Sequence, residues 1–313
     1  MKICEITSKE YSAQINLSLG ANCISLRNKT YHAKILREPD YHIPLDNPYL
    51  YGMPILFPVN RISGGKFIFE NREYCFPVNE LKTGCHLHGM LNQTEFHVID
   101  QKKDRIICNY HASKTHPYLG YMHEFEIQIQ YEVSEHGLEQ NVQIKNESDQ
   151  NMPIMIGFHT TFPLPFIQDQ NLEEIRIYAD VSEEIERNMK NYLPTGNIDF
   201  SNEIMRQLQT GTLLPVKQKI SSHYKSKNDG KMCIWDQKNK IGILYENSLN
   251  MKFRLIYNGS ADEYVCMEPQ NCMVDCMNMN KMDEKYRGVS YVKPGETWNC
   301  WSKIRLIDQF PVE

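Results

Sequence analysis

The sequence predicts a mainly β protein built as a sandwich of large antiparallel sheets. Segments rich in valine, isoleucine, tyrosine and phenylalanine recur between turns that contain glycine, asparagine or aspartate. Long apolar patterns with the 3.6-residue period of a helix are scarce. Short strands with regular turns between them are typical of sandwiches, in which each sheet buries one face.

The clearest predicted strand pair is a hairpin in the middle of the chain. Polar and apolar residues alternate from Glu124 to Val133, and a second strand-like run, Leu138 to Ile144, follows the turn at 135–137. This alternation predicts a hairpin with one face exposed to water. Further turns are expected between strand-like runs at Ser63–Lys66, Asn228–Gly230, Asn258–Gly259 and Pro294–Gly295.

One surface helix is predicted at about Asn202 to Leu208, with Ser201 as its N-cap and Gly211 just beyond its end. The chain contains no internal repeat of fixed period and no low-complexity linker. Residues 1–313 are therefore predicted to form a single domain. The loop near Asn191 to Gly196 is the alternative domain boundary.

The charge and hydropathy of the chain exclude several kinds of partner. The 313 residues carry a formal charge of −5, which gives no positive excess to bind nucleic acid or an anionic membrane. No apolar run approaches the roughly 20 residues of a membrane helix, and the N-terminus lacks the apolar core of a signal peptide. We therefore expect a cytoplasmic protein whose partner is a neutral small molecule.

The ten cysteines contain no Cys-x-x-Cys pair, and a reducing cytosol would keep them as thiols. Cys266, Cys272 and Cys276 are clustered, but their spacing matches no pattern of metal ligands. These cysteines are interpreted as small buried side chains, and no metal or cofactor is expected.

Arg61 is the first candidate for ligand binding. The pair Asn60-Arg61 follows an apolar run, Pro54 to Pro58, and precedes a glycine turn, which predicts that Arg61 lies at a strand end. A guanidinium there could donate several hydrogen bonds to hydroxyl groups. Spacing alone favours the alternative, a surface arginine paired with a carboxylate.

His86 and His88 are two residues apart, so in an extended segment both rings would point to one face. Some metal sites begin in this way. A cupin-like metal site is the alternative, although Glu95 is too far along and no suitable third ligand is evident. A lone His88 is more often structural than catalytic, but Gly89 would let another backbone or a ligand approach closely.

Two further candidates lie where apolar strands meet polar residues. His159 follows the apolar run from Met152 to Phe158, and partial burial would hold its ring near the neutral form. A core histidine bonded to a carbonyl is an equal alternative. Glu268 lies between a strand-like run, 263–267, and Pro269, a position that would place a carboxylate at the mouth of a sheet.

These segments together resemble the aldose 1-epimerases, or galactose mutarotases, in type and in order. The matching motifs extend from about Gly20 to Trp301, and no single one is specific by itself. They are Asn60-Arg61-Ile62, His88-Gly89, Gly157-Phe158-His159-x-x-Phe162, Leu193-Pro194-Thr195-Gly196 and Glu268-Pro269-Gln270-x4-Asp275-x2-Asn278.

The resemblance implies a β-supersandwich with a sugar cleft on the concave face of a large sheet. It further implies that Glu268 is the general base at the C1 hydroxyl and His159 the general acid at the ring oxygen. His88 and Arg61 would bind and polarise the sugar, with Asn60 assisting. Ring opening, rotation about C1–C2 and closure would then exchange the anomers.

The sequence departs from the family pattern in two places. Many members have an aspartate that holds sugar hydroxyls, whereas this chain has the segment Ser221 to Lys225, where His223 is the candidate replacement. Thr161 replaces a tyrosine that is common beside Phe162. These differences leave open which sugar is bound and how fast it reacts.

The leading hypothesis is an aldose 1-epimerase-like enzyme that acts on a hexose or a related carbohydrate. The main alternative is a sugar-binding or sensing protein with the same fold and little turnover. A hexose phosphate would require arginine or lysine side chains near the cleft, which the sequence alone does not place. The negative net charge argues mildly against such a substrate.

Overall fold

The computed structural model describes residues 2–40, 42, 47–259 and 263–311, and strands make up most of its regular structure. The first strands are β1 (Ile3–Thr7), β2 (Tyr11–Asn16), β3 (Asn22–Asn28), β4 (Ala33–Lys34), β5 (Ile55–Leu56), β6 (Arg61–Ser63), β7 (Lys66–Phe69), β8 (Arg72–Cys75) and β9 (Cys85–Leu87). The next are β10 (His97–Gln101), β11 (Arg105–Ala112), β12 (Phe125–Ser134), β13 (Gly137–Asn146), β14 (Met152–Ile154), β15 (Gly157–Phe158), β16 (Thr160–Pro163), β17 (Ile175–Ala179) and β18 (Val181–Arg187). The last are β19 (Pro194–Asp199), β20 (Ser221–Ser226), β21 (Met232–Asp236), β22 (Ile241–Asn247), β23 (Phe253–Tyr257), β24 (Tyr264–Gln270), β25 (Ser290–Val292) and β26 (Thr297–Ile307).

The predicted hairpin lies inside a large antiparallel sheet. This first sheet has the strand order β10-β11-β12-β13-β26-β22-β21-β17. Strands β12 and β13 pair from Phe125 opposite Asn146 to Ser134 opposite Gly137, which confirms the hairpin. Buried residues alternate with more exposed ones along β12, so one face of the sheet packs inward.

A second large sheet carries three of the candidate residues, His223, Glu268 and, at the junction of β15 and β16, His159. Its strand order is β19-β18-β20-β23-β24-β15-β5, and β16 also pairs with β24. Smaller sheets flank the two large ones. They are the four-stranded sheet β1-β2-β3-β4 and the two-stranded pairs β14-β25, β6-β9 and β7-β8.

The two large sheets pack against each other through a shared core. The Thr160 hydroxyl on β16 lies 2.8 Å from the Tyr245 hydroxyl on β22, which gives the buried phenol a hydrogen-bond partner. The ring of Phe162 packs edge-on against Tyr245, with 5.7 Å between their centroids. One apolar cluster extends from Ile6 to Ile304. The predicted mainly β sandwich of large sheets is confirmed.

The predicted helix exists as α1 (Glu203–Thr210), but its predicted N-cap is wrong. Asn202 is the N-cap, because its side-chain oxygen accepts a hydrogen bond of 2.7 Å from the backbone N–H of Met205. Gly211 ends the helix in a left-handed conformation, as expected. Met205 and Leu208 are buried, so the helix also covers part of the core.

The remaining short elements were not predicted. They are α2 (Glu284–Arg287) and the 3₁₀ turns Pro48–Leu50, Leu91–Gln93, Leu172–Glu174 and Pro215–Lys217. None of the helices in the described residues has the length and apolar character needed to cross a bilayer. The four predicted turns all fall between strands. The three clustered cysteines are buried thiols, as expected.

Candidate active site

Five of the predicted site residues meet at one cavity on the second large sheet. The cavity has a volume of about 310 Å³, near the lower end of the range of about 300–1,000 Å³ common for small-molecule sites. The predicted residues that line it are Asn60, Arg61, His88, His159 and Glu268. The other lining residues are Asn47, Leu50, Glu80, Leu87, Arg187, Tyr192, Ser221, Leu255 and Tyr257.

Strand register places His159 directly opposite Glu268. Strand β24 pairs with β15 through Gly157 opposite Gln270, and with β16 through Thr160 opposite Met267. Both pairs have the same register, so the residue opposite Glu268 is His159. Opposite residues in an antiparallel pair share a face of the sheet. Accordingly, Nε2 of His159 lies 3.3 Å from Oε1 of Glu268.

Glu268 does not lie at the end of its strand, so that prediction is wrong. Strand β24 continues through Pro269 to Gln270, and Pro269 is opposite Arg254 of β23. The pairing of β24 with β15 and β16 lapses between Gln270 and Met267, where a proline is tolerated. The Glu268 side chain therefore lies on the sheet face, and the residue is only 1% exposed.

Burial shifts the pKa values of Glu268 and His159 in opposite directions. It raises the pKa of Glu268 to about 8, against the lowering influence of Arg187, the Gln270 hydrogen bond and Arg61. It lowers the pKa of His159 to about 4, which agrees with the predicted neutral ring. Between about pH 4 and 8 the pair therefore holds a single proton and has no net charge.

A chain of amides holds the carboxylate of Glu268 in position. The side-chain N–H of Gln270 donates to Oε2 of Glu268 at 3.2 Å. The amide of Asn60 donates in turn to the side-chain oxygen of Gln270 at 3.4 Å. Each carboxylate oxygen thus has its own neighbour, because Oε1 is next to His159 and Oε2 is next to Gln270.

His88 enters the cavity alone, since the segment around it is not extended. His88 has φ +65°, so the prediction that His86 and His88 share a face is wrong. Nδ1 of His86 donates to the carbonyl of Pro77 at 2.7 Å, away from the cavity lining. The ring of His88 is perpendicular to that of His159, with 5.3 Å between centroids, and burial holds its pKa well below the usual value.

No group of three or more metal-ligating side chains comes together anywhere in the described part of the chain. The structure therefore gives the cupin-like alternative no support from His86 and His88.

Gly89 has the role expected of it. It has φ +67°, and a Cβ at this position would lie 1.9 Å from the carbonyl oxygen of Phe57. Gly89 and Phe57 form an isolated parallel bridge. The glycine thus permits a close backbone approach next to His88.

Arg61 pairs with a carboxylate, as one of the two interpretations of the sequence expects, but its side chain is only 14% exposed and is not a surface group. It begins β6 and lines the cavity, while its Nε and Nη2 donate to the two carboxylate oxygens of Glu80, each at 2.7 Å. Asp275 fixes the same strand, because its backbone N–H donates to the carbonyl of Arg61 and its carboxylate accepts from the backbone N–H of Ser63.

His223 lies beside the site but does not line the cavity. It is opposite Leu255, which is opposite Glu268, so the three residues form a row across the sheet. His223 is completely buried, and neither ring nitrogen has a hydrogen-bond partner among the described residues. Its predicted contact with sugar remains a prediction.

Arg187 and Tyr192 line the cavity and were missed. Nη2 of Arg187 donates to the carbonyl and, at 3.1 Å, to the hydroxyl of Ser221. The ring of Tyr192 lies 4.6 Å from the guanidinium carbon of Arg61 and 5.9 Å from that of Arg187. Tyr192 immediately precedes the Leu-Pro-Thr-Gly motif, a signal that could have found it. Arg187 is one of several charged residues in its strand, and nothing in the sequence singles it out.

Comparison with known proteins identifies the family and the fold of the chain. The sequence profile of the family described as aldose 1-epimerase matches residues 2–305. A galactose mutarotase-like protein from Clostridium acetobutylicum is 27% identical, with a TM-score of 0.90, over 97% of this chain and 94% of that one.

Two more distant structures show the fold alone. A galactose mutarotase related enzyme from Lactobacillus acidophilus is 19% identical, with a TM-score of 0.74, over 97% of each chain. An aldose epimerase homologue from C. elegans is 15% identical, with a TM-score of 0.73, over 99% of each chain. By the match of its sequence along almost its whole length, this chain belongs to the aldose 1-epimerase family.

Proposed function

We propose that the protein is an aldose 1-epimerase-like isomerase that interconverts the α and β anomers of a hexose or related sugar. The observation that carries this proposal is the 3.3 Å contact between Glu268 and His159 in a cavity of sugar size. An acid and a base side by side can open and close a hemiacetal ring, because both steps exchange one proton for another. We also propose the cytoplasmic location predicted from the sequence.

In the proposed reaction Glu268 accepts the proton of the C1 hydroxyl while His159 donates a proton to the ring oxygen. The resulting aldehyde rotates about C1–C2, and closure with the roles reversed gives the other anomer. The reactive form has the carboxylate ionised and the imidazole protonated. A bound sugar favours this form, because its C1 hydroxyl donates to the carboxylate and its ring oxygen accepts from the imidazolium. Both proton transfers use side chains, so the proposal invokes no cofactor.

Two further residues are proposed to hold the sugar, and a third is proposed to position the base. His88 is neutral, so its ring can exchange hydrogen bonds with a sugar hydroxyl. Arg61 has five N–H donors, and those not directed at Glu80 are available to hydroxyl groups. Asn60 acts through Gln270 on the orientation of the base.

The substitution Glu268→Gln tests the proposal, since it keeps the shape of the side chain and removes the base. Polarimetry on fresh α-galactose and α-glucose should show at least an approximately 100-fold loss of catalysed anomerisation. Circular dichroism should show that the fold is retained. An unchanged rate in a folded variant would remove Glu268 from this role.

A sugar-binding protein with little turnover is the second candidate. It is favoured by the burial of His223, because the segment that replaces the family aspartate contributes only Ser221 to the cavity. Titration calorimetry of the wild-type protein against monosaccharides separates the two candidates. Tight binding without anomerisation would support the second one.

A further inference from the structure

Arg187 has a positive charge that no carboxylate of the described residues meets with a hydrogen bond. Of its guanidinium nitrogens, Nη2 bonds only to Ser221, and Nε and Nη1 make no hydrogen bond with the described residues. Glu268 attracts the guanidinium more than Glu184 does, and neither accepts a hydrogen bond from it. Glu268 is paired with His159, and the carboxylate of Glu184 is bound by the side chain of Asn202. Burial, followed by the charge of Arg61, lowers the pKa of Arg187 to about 10 against the raising influence of Glu268 and Glu184, so the guanidinium stays charged at neutral pH.

The other ionisable groups of the cavity wall cancel. Arg61 and Glu80 form a two-point ion pair with no net charge. Glu268 and His159 share one proton, so this pair is neutral whichever residue carries it. His88 is neutral as well. One positive charge therefore remains in the cavity, that of Arg187.

Holding the charge of Arg187 in this partly buried position costs free energy when no ligand is bound. Arg187 and Arg61 approach the same ring, that of Tyr192, and Arg61 contributes to the lowered pKa of its neighbour. Two guanidinium groups therefore lie near one ring, and among the described residues the only carboxylate that accepts hydrogen bonds from either of them is that of Glu80. A partly buried positive charge is most stable when an anion pairs with it, and the planar guanidinium binds carboxylate and phosphate oxygens two at a time.

From this unmatched charge we infer that the sugar taken by the site carries an anionic group, either a carboxylate or a phosphate ester, which Arg187 binds. The inference rests on the proposed function, because it names the class of sugar for the same cavity. It reverses the expectation drawn from the net charge of the chain. The charge at the cavity wall is positive although the protein as a whole is negative.

The test compares three sugars in the wild-type protein: glucose, glucuronate and glucose 6-phosphate. Anomerisation of each is followed by NMR exchange spectroscopy. At least one anionic sugar should have a kcat/KM on the order of 10- to 100-fold above that of glucose, and the better of the two identifies the preferred anion. Equal or lower values for both would overturn the inference while leaving the proposed function intact.

Variants then assign the preference to Arg187. Arg187→Gln should bring the ratio of anionic to neutral kcat/KM close to one, and Arg187→Lys should retain part of it. Arg206→Gln is the matched control, because Arg206 is exposed on α1 and pairs with Glu203. The control should leave the ratio unchanged. A preference that persists in folded Arg187→Gln would contradict the assignment.

Two measurements on the wild-type protein do not depend on the folding of a variant. Inorganic phosphate should inhibit glucose anomerisation competitively, and absence of inhibition at high phosphate concentration would count against the inference. If no sugar is anomerised, the proposed function fails, and calorimetry decides the inference separately. Tighter binding of glucose 6-phosphate or glucuronate than of glucose would support it, and equal or absent binding would overturn it.

Discussion

Nε2 of His159 and Oε1 of Glu268 are 3.3 Å apart because their strands place them opposite each other on one buried sheet face. The contact is not a simple surface ion pair. Burial favours the uncharged form of each partner, so the pKa of Glu268 rises and that of His159 falls. The pair therefore responds to pH as a unit.

The first expected outcome is a bell-shaped dependence of kcat/KM on pH. The reaction needs one proton on the pair, so the rate should fall below about pH 4, where both groups are protonated, and above about pH 8, where neither is. Initial rates of glucose anomerisation, corrected for the uncatalysed reaction in each buffer, measure the curve. A rate that keeps rising well above pH 8 would contradict the single-proton form.

The second expected outcome concerns stability. The folded pKa of Glu268, about 8, is raised from 4.5, so the folded state holds this proton over a range where the unfolded state releases it. The stability that Glu268 contributes is present below about pH 4.5 and is lost as the pH rises to about 8. The free energy of unfolding of the wild type, relative to that of Glu268→Gln, should fall by roughly 1.4 kcal/mol per pH unit at most.

Urea unfolding gives these free energies when it is repeated at pH values from about 5 to about 8 in steps of roughly one unit. Glu173→Gln is a suitable control, because its side chain is 57% exposed and its ion-pair partner is a lysine, so the difference from wild type should stay nearly constant. A constant difference for Glu268→Gln as well would show that Glu268 is ionised in the folded protein throughout this range.

The sequence was sufficient for the fold class because alternation and turns are local signals. The hairpin of β12 and β13 could be read from residue types alone. The gathering of Asn60, Arg61, His88, His159 and Glu268 could be anticipated only through the family resemblance, since register between distant strands brings them together. Residue types do not encode that register locally.

The errors have physical causes of the same kind. His88 was expected in an extended segment, but it adopts a left-handed conformation that puts Gly89 against Phe57. Pro269 predicts the end of a strand, whereas β15 and β16 do not pair with β24 between Met267 and Gln270, so the proline is accommodated inside the strand. In the sequence, Arg187 does not differ from the other charged residues of its strand. Only the structure shows that it lies next to Ser221 and Tyr192.

The close approach at Gly89 gives a third expected outcome. Gly89→Ala adds a Cβ that would lie 1.9 Å from the Phe57 carbonyl oxygen, in a backbone conformation that alanine also disfavours. Gly64→Ala shares the second cost only, because Gly64 has φ +60° and open space around its Cβ position. We expect Gly64→Ala to lose roughly 1–2 kcal/mol of stability and Gly89→Ala to lose clearly more.

Urea unfolding of both variants measures the difference, and anomerisation shows whether His88 has moved. Equal losses in the two variants would mean that the backbone around Phe57 yields without cost.

The last expected outcome tests Gln270 as a positioning residue. Its N–H donates to Oε2 of Glu268 and thereby favours the ionised carboxylate. Gln270→Met removes the donor at similar volume, so the pKa of Glu268 should rise further and the pair should keep its proton to higher pH. The alkaline limb of the rate profile should move up by about one pH unit, as expected for the loss of one hydrogen bond to a charged group. Met267→Leu is the control, because Met267 is buried in the same strand, and it should leave the alkaline limb in place. An unmoved limb in Gln270→Met as well would mean that Gln270 only fills space.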